Sequence, residues 1–303
     1  MDADGLRTFI AIHRSGGFSH AAASLGRSQP AISRRIALLE SELKAPLFER
    51  TGAGIILSDA GRVLLPYAER ALAALEDAGA AVAALHGGRA GTLSLAAVGT
   101  LAGTKLTAIL KRFSKGSPHV QVTLRTATSA EVSGLVRGGE VAIGLRYFGD
   151  AAPDLLCHQV GSERLVVACA RRHPLASKSV AKFADLKAEP WIAFPLVPGR
   201  REASAQIVHT QFLMRGVDSF AWTPIDSLTA QKRLIEAGYG IALLPESALQ
   251  EELSARTLAT IRVRDLKAVN PVFAVVRRSG FLSVAAKRFI DILCEEWGSS
   301  RRP

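Results

Sequence analysis

Residues 17 to 43 read GFSHAAASLGRSQPAISRRIALLESEL, and their punctuation describes two short helices joined by a tight turn. Ser19 can cap the first, an Ala-rich turn runs to Leu25, and Gly26 supplies a stop because left-handed backbone costs glycine little. Ser28 offers a second cap, and Pro30 suits a first turn because its missing N–H would go unbonded there. Ile32, Ile36, Leu39 and Leu43 then recur at helical spacing, so this stripe faces inward. Gln29, Ser33, Arg34 and Arg35 lie off the stripe near the helix start, where a helix-turn-helix presents base-reading side chains to the major groove. Spacing of this kind also occurs in ordinary cores, so residue identity has to decide.

The run Ser28-Gln29-Pro30-Ala31-Ile32-Ser33-Arg34, followed by Leu39-Glu40 and by Leu47-Phe48-Glu49-Arg50-Thr51, resembles the DNA-binding half of LysR-type transcriptional regulators. The match is ungapped from about Leu6 to Gly61. The resemblance implies that the second helix enters the major groove and that a two-stranded wing touches the backbone. It assigns Gln29, Pro30, Ser33 and Arg34 to the bases and brings Arg50, beside Thr51, to a phosphate, with Arg27, Ser28 and Arg35 on the same surface. The wing tip reads Gly52-Ala53-Gly54, where many members carry a basic residue in place of Ala53.

Charge distribution sharpens this reading. The net charge is +11, yet residues 1 to 88 hold nine Arg or Lys against nine Asp or Glu, and the whole excess, 29 basic against 18 acidic, follows. DNA affinity must then come from the placement of Arg27, Arg34, Arg35 and Arg50, helped by helix starts that point at phosphates. The basic C-terminal part suits either an anionic small molecule or a solvated surface. A chain of 303 residues with 48% apolar and 21% charged residues belongs to the globular class. No signal segment or membrane-length apolar run is evident, so a cytoplasmic location is expected. Cys157, Cys169 and Cys294 are widely spaced without zinc-ligand patterns, and read as buried structural thiols; no metal and no cofactor is implied.

In chain order, Asp4 is a candidate cap for a first helix with Leu6, Phe9, Ile10 and His13 on one face, His13 as packing. After Pro46, Ile55-Ile56-Leu57 reads as the wing hairpin, and Ser58 caps a longer helix. In that helix Leu64, Ala68, Ala71, Leu75, Ala78, Val82 and Leu85 alternate steps of four and three, a heptad seam calling for a partner helix. A homodimer or dimer of dimers is expected, and in the resembled family this linker pairs antiparallel. His86-Gly87-Gly88-Arg89-Ala90-Gly91 is a hinge by composition.

Beyond it, strand-like and helix-like segments alternate, as in an α/β domain with a largely parallel sheet. Leu165-Val166-Val167 with His173-Pro174-Leu175, and Gly238 to Pro245, resemble the LysR effector domain. The resemblance implies two subdomains of periplasmic-binding-protein type joined by crossing strands near Gly161 and Val269, with a ligand between them. The organisation is therefore a winged helix-turn-helix over 1–58, a dimerising linker and hinge over 59–88, and an effector domain over 89–303. Within the last, subdomain I takes about 89–162 plus 269–303 and subdomain II about 163–268. Ligands of open α/β sheets bind beyond strand ends, where helix starts favour negative charge. Thr100, Thr128 and Ser129 occupy such places in the first subdomain, and Phe194, Pro195 and Ser227 in the second. Arg146, just past a third strand, could pair with a carboxylate. Each hydroxyl alone would serve equally as a helix cap.

Other classes fare worse. No Gly-x-Ser-x-Gly, His-Glu-x-x-His or Walker loop is present, so an enzyme is not indicated. A solute-binding protein would have no use for residues 1 to 88. The reading is a transcriptional regulator that binds double-stranded DNA and responds to a small, anionic organic effector. The alternatives are a regulator of the same type acting without a ligand or through cysteine oxidation.

Overall fold

The computed structural model describes residues 1–52, 54–85, 91–196 and 203–298, in two compact units, one made mainly of the residues up to the linker helix together with Arg137–Glu140 and Ser279–Ser283, and one made of most of the rest. Wing-tip residue Ala53, the Gly87-Gly88 hinge and the Leu85 side chain lie outside the described residues.

The first unit runs α1 (Ala3–Ser15), α2 (Phe18–Ser24), α3 (Gln29–Leu43), β1 (Phe48–Thr51), β2 (Gly54–Leu57) and α4 (Asp59–Leu85). The cap of α1 is Asp2, whose carboxylate accepts from the Gly5 N–H at 2.8 Å, and not Asp4. Ser19 lies inside α2, which starts from Gly17 without a side-chain cap. Ser28 does stand at the N-cap of α3, also without a side-chain bond. The periodicity is otherwise realised: Phe9, Ile12, Ile32, Ile36, Leu39 and Leu47 form one core with Ala68 and Leu72. Leu43 and His13 are exposed, so the stripe ends one turn early and Ile12 fills the place expected of His13. Ser58 caps α4 by accepting from the Gly61 N–H at 3.0 Å. A Cβ at Gly61 would meet the Leu47 carbonyl oxygen at 2.2 Å, so glycine is what lets α4 lie against the wing's root. The first turns of α4 thus belong to this core, and the exposed seam begins later: Leu75 is 54% and Val82 56% exposed.

The second unit runs β3 (Gly91–Val98), α5 (Thr104–Gly116), β4 (Val120–Ala127), α6 (Ser129–Arg137), β5 (Ile143–Tyr147), β6 (Leu155–Ala170), β7 (Ser179–Val180) and β8 (Trp191–Ala193). It continues with α7 (Ala203–Leu213), β9 (Trp222–Pro224), α8 (Leu228–Glu236), β10 (Ala242–Pro245), α9 (Gln250–Ala255), β11 (Leu258–Val263), β12 (Val269–Arg277) and α10 (Val284–Trp297). The expected largely parallel sheet is in fact mixed. β3 pairs parallel with β4 and β5, but β12 pairs antiparallel with β5 and β6, and β10 and β11 antiparallel with β6. The antiparallel members arise because β6 is one long strand shared by two subdomains. Its first part pairs with β12, and Leu165 to Ala170 pair with β10 and β11. The return crossing is fixed by the Leu165 N–H donating to the Ala268 carbonyl at 3.0 Å. β6 changes partners between Arg164 and Leu165, and β12 begins at Val269.

Each subdomain carries its own core. Phe113 of α5 meets Phe289 of α10 edge-on at 5.4 Å in one, and Phe183, Trp191 and Phe212 cluster in the other. Between them, on β6, sits Glu163, 5% exposed. The Tyr147 hydroxyl donates to one of its oxygens at 3.0 Å and the Ser247 hydroxyl to the other at 2.8 Å, so one carboxylate ties β5 to the loop after β10. Burial pushes the Glu163 carboxyl above the usual carboxylate range, against hydrogen bonds from Ser247 and Tyr147 that favour its charged form. The folded state therefore holds this proton more tightly than the unfolded chain, and the group's stability contribution falls as pH rises through the raised value. Tyr147→Phe removes one donor to the ionised form and should cost about 1 to 3 kcal/mol. The loss in urea unfolding should be larger at pH 8 than at pH 5; a difference independent of pH would show that Glu163 does not depend on this bond.

Candidate functional site

The burial of Ile32, Ile36 and Leu39 turns the opposite face of α3 outward. Arg27, Ser28, Gln29, Pro30 and Arg34 are exposed there, and Ser33 and Arg35 are half-buried. Arg50 and Thr51 are exposed on β1, which pairs antiparallel with β2, Arg50 opposite Ile55. The wing is fixed to the recognition helix by the Leu47 N–H donating to a Glu40 carboxylate oxygen at 2.7 Å. Arg34 and Arg50 make no ion pair among the described residues, whereas Arg27 and Arg35 are spoken for. Arg27 pairs with Asp4 at 2.8 Å, and Arg35 with both Asp2 and Asp4 at 2.8 Å. The hydrogen bond from Arg27 holds the Asp4 carboxyl below its usual range. Of the four arginines expected to supply DNA affinity, two are thus shared with acidic residues of the first helix region, Arg27 with Asp4 and Arg35 with Asp2 and Asp4.

The seven effector residues read from strand ends divide between two cavities that share no lining residue. Thr100, Thr128, Phe194, Pro195 and Ser227 converge from both subdomains on one of about 840 Å³. Thr100 is buried at the end of β3. Thr128 and Glu131 form a reciprocal cap at the start of α6, 3.0 and 3.4 Å. The Ser227 hydroxyl accepts from the Ala230 N–H at 3.3 Å, opening α8. Hydroxyls at Thr128 and Ser227 thus do cap helices, and do so on the cavity wall. Ser129 and Arg146 line a separate cavity of about 460 Å³. Arg146 is held there by Asp150 at 2.7 Å and donates to Ser133 at 2.6 Å.

Residues 86–298 match the model of the LysR substrate binding domain, and residues 3–62 that of the bacterial regulatory helix-turn-helix protein, lysR family. The chain belongs to the LysR family of transcriptional regulators. It is 30% identical over 291 residues to the HTH-type transcriptional regulator CbbR of Rhodospirillum rubrum, covering 95% of this chain and 94% of that one. With the HTH-type regulator CitR of Bacillus subtilis (strain 168) it shares 26% over 311 residues, 97% of this chain and 98% of the other. Full-length CbnR, solved with its target DNA, is 26% identical with a TM-score of 0.65, covering 98% of this chain and all, 100%, of that one. The family and these relatives are transcriptional regulators, not enzymes.

In this LysR-type chain, no group of His, Cys, Asp and Glu among the described residues could hold a metal ion. No helix among them is long and apolar enough to cross a membrane. Sequence reasoning missed the carboxylates of the larger cavity, Glu131, Asp226 and Glu251, and its lysine, Lys232, which pairs with Glu252 at 2.8 Å. Glu131 was within reach, because Thr128-x-x-Glu131 is a capping-box spacing. Lys267 and Asn270, on the smaller cavity, become neighbours of Arg146 only through the pairing of β12 with β5.

The shared arginines give a test. Asp2→Asn with Asp4→Asn keeps a capping side chain on α1 but releases Arg27 and Arg35. Binding to specific and random DNA should strengthen alike, with the salt dependence steeper by about one to two phosphates' worth. An unchanged salt slope would show that neither arginine reaches DNA even when free.

Proposed function

We propose that this protein is a cytoplasmic, dimeric or tetrameric regulator that reads double-stranded DNA through Gln29, Pro30, Ser33 and Arg34 and grips phosphates through Arg50 and Thr51. Its promoter complex responds to a small organic effector. The observation that carries this reading is the meeting of Thr100, Thr128, Phe194, Pro195 and Ser227, from two subdomains, on one cavity in a chain that also presents an exposed recognition helix. The effector is an anion, because α6 and α8 begin on the cavity wall and helix starts favour negative charge. It also carries hydrogen-bond donors, from which the carboxylates Asp226 and Glu251 on the same wall can accept.

A ligand between subdomains acts by binding the closed arrangement more tightly than the open one, and coupling of about 1 to 3 kcal/mol to DNA is typical of such systems. Thiol oxidation is the weaker reading. Burial pushes the Cys169 thiol up to about 11 and raises Cys294 as well, which disfavours the reactive thiolate. The exposed Leu75 and Val82 on α4 support assembly through that helix.

Three measurements check these assignments. Gln29→Ala or Arg34→Ala should each cost about 1 to 3 kcal/mol on the specific site and leave random DNA nearly unaffected. Equal losses on both would remove Gln29 and Arg34 from the bases. Arg50→Ala should weaken both and flatten the salt slope by about one phosphate. In sedimentation, Leu75→Asp with Val82→Asp should dissociate the assembly, because a buried charge without a partner is costly; an unchanged folded oligomer would place the seam elsewhere.

A further inference from the structure

The smaller cavity, of about 460 Å³, is lined by no carboxylate, whereas the larger carries three. Two cations border it. Arg146 is already paired with Asp150, so its charge is shared, but Lys267 is exposed, sits just before β12, and makes no ion pair among the described residues. Two polar side chains on its wall are almost wholly buried and have a hydrogen-bonding atom without a partner. Ser129 is 2% exposed with its hydroxyl oxygen unbonded, and Asn270 is 2% exposed with its amide oxygen unbonded. Burying such atoms is costly unless something bonds to them, so unpaired polar atoms facing a cavity mark a place for a polar guest. Phe148 adds an aromatic wall, held at φ 56, a backbone region uncommon for side chains of its size.

The demands of this lining are specific. An unpaired lysine asks for an anionic group, and the Asn270 amide oxygen asks for a donor. A carboxylate alone answers only the first. A molecule carrying a carboxylate and a hydroxyl answers both, and Gln206 and Thr210 of α7 offer further hydrogen bonds from the second subdomain. We propose that the smaller cavity is a second ligand site, separate from the effector cavity, that takes a small hydroxycarboxylate, its carboxylate on Lys267 and Arg146 and its hydroxyl on Asn270 and Ser129. Since Ser129 and Arg146 come from one subdomain and α7 from the other, a guest here bears on the same closure as one in the larger cavity.

The test is a calorimetric titration of the full chain with matched pairs that differ by one hydroxyl: glycolate and acetate, lactate and propionate, malate and succinate. At least one hydroxy acid should bind wild type tenfold or more tightly than its deoxy partner. Thr100→Val, at a residue that lines the larger cavity and not the smaller, should preserve that preference. Lys267→Ala, a change at an exposed side chain, should weaken the hydroxy acid tenfold or more, with its thermal unfolding unchanged. The proposal is overturned if no pair shows the preference, if Thr100→Val abolishes it, or if Lys267→Ala binds as wild type does. The second of these would move the acid to the larger cavity and leave the regulatory reading standing.

Discussion

One strand crosses between two subdomains, and a buried carboxylate on it is bonded from both sides. β6 gives its first part to β12 and its last part to β10 and β11, so neither subdomain's sheet is complete without it. Glu163 lies where the allegiance changes, taking one hydrogen bond from Tyr147 and one from Ser247. Close by, a Cβ at Gly161 would meet the Trp297 Cβ at 2.3 Å, so α10 can pack on the crossing only because that residue is glycine. Both cavities exist because two cores are joined here by strands and hydrogen bonds instead of merging into one.

The N-terminal unit obeys a different constraint. Its net charge is nil, and two of its arginines are partly neutralised by Asp2 and Asp4. Electrostatic attraction to phosphates is the sequence-independent part of DNA affinity, so a head that limits its free cations leaves more of its discrimination to base contacts. The same carboxylates hold α1 to α3 and so orient the recognition helix. Arg35 is then a positioning residue in the free protein, while Arg34, one residue away, is unencumbered.

What the sequence made legible follows a physical rule. Elements whose signal is local were found: the turn at Gly26, the stripe of Ile32, Ile36 and Leu39, the cap at Ser58, and the strand ends at Thr100 and Thr128. Errors came where several local candidates competed or where the answer was tertiary. Asp2 and Asp4 are equally good caps in sequence, and only the position of Arg27 and Arg35 reserves Asp4 for pairing. The first part of β6, Leu155 to Gly161, has no clean alternation: Leu155 and Val160 are buried, Leu156, Cys157 and His158 half-buried and Gln159 exposed. Arg146 reads from sequence as just past a strand end, but it lies within β5, opposite Phe273 of β12, and its side chain pairs with Asp150 on the wall of the smaller cavity. The seam on α4 was legible as a period; that its opening turns serve the head's own core was not, because Leu64 and Ala68 are spaced for either use.

The central claim is that α3 reads sequence as one of a symmetric pair of heads. Selection of bound fragments from a random-sequence DNA pool by the full chain tests it most directly. The bound sequences should converge on two related half-sites whose centres are separated by whole helical turns, as paired helix-turn-helix heads require. The Gln29→Ala chain should select the same spacing with one position in each half-site relaxed. Failure of the wild-type pool to converge, or convergence on a single unpaired site, would contradict the account.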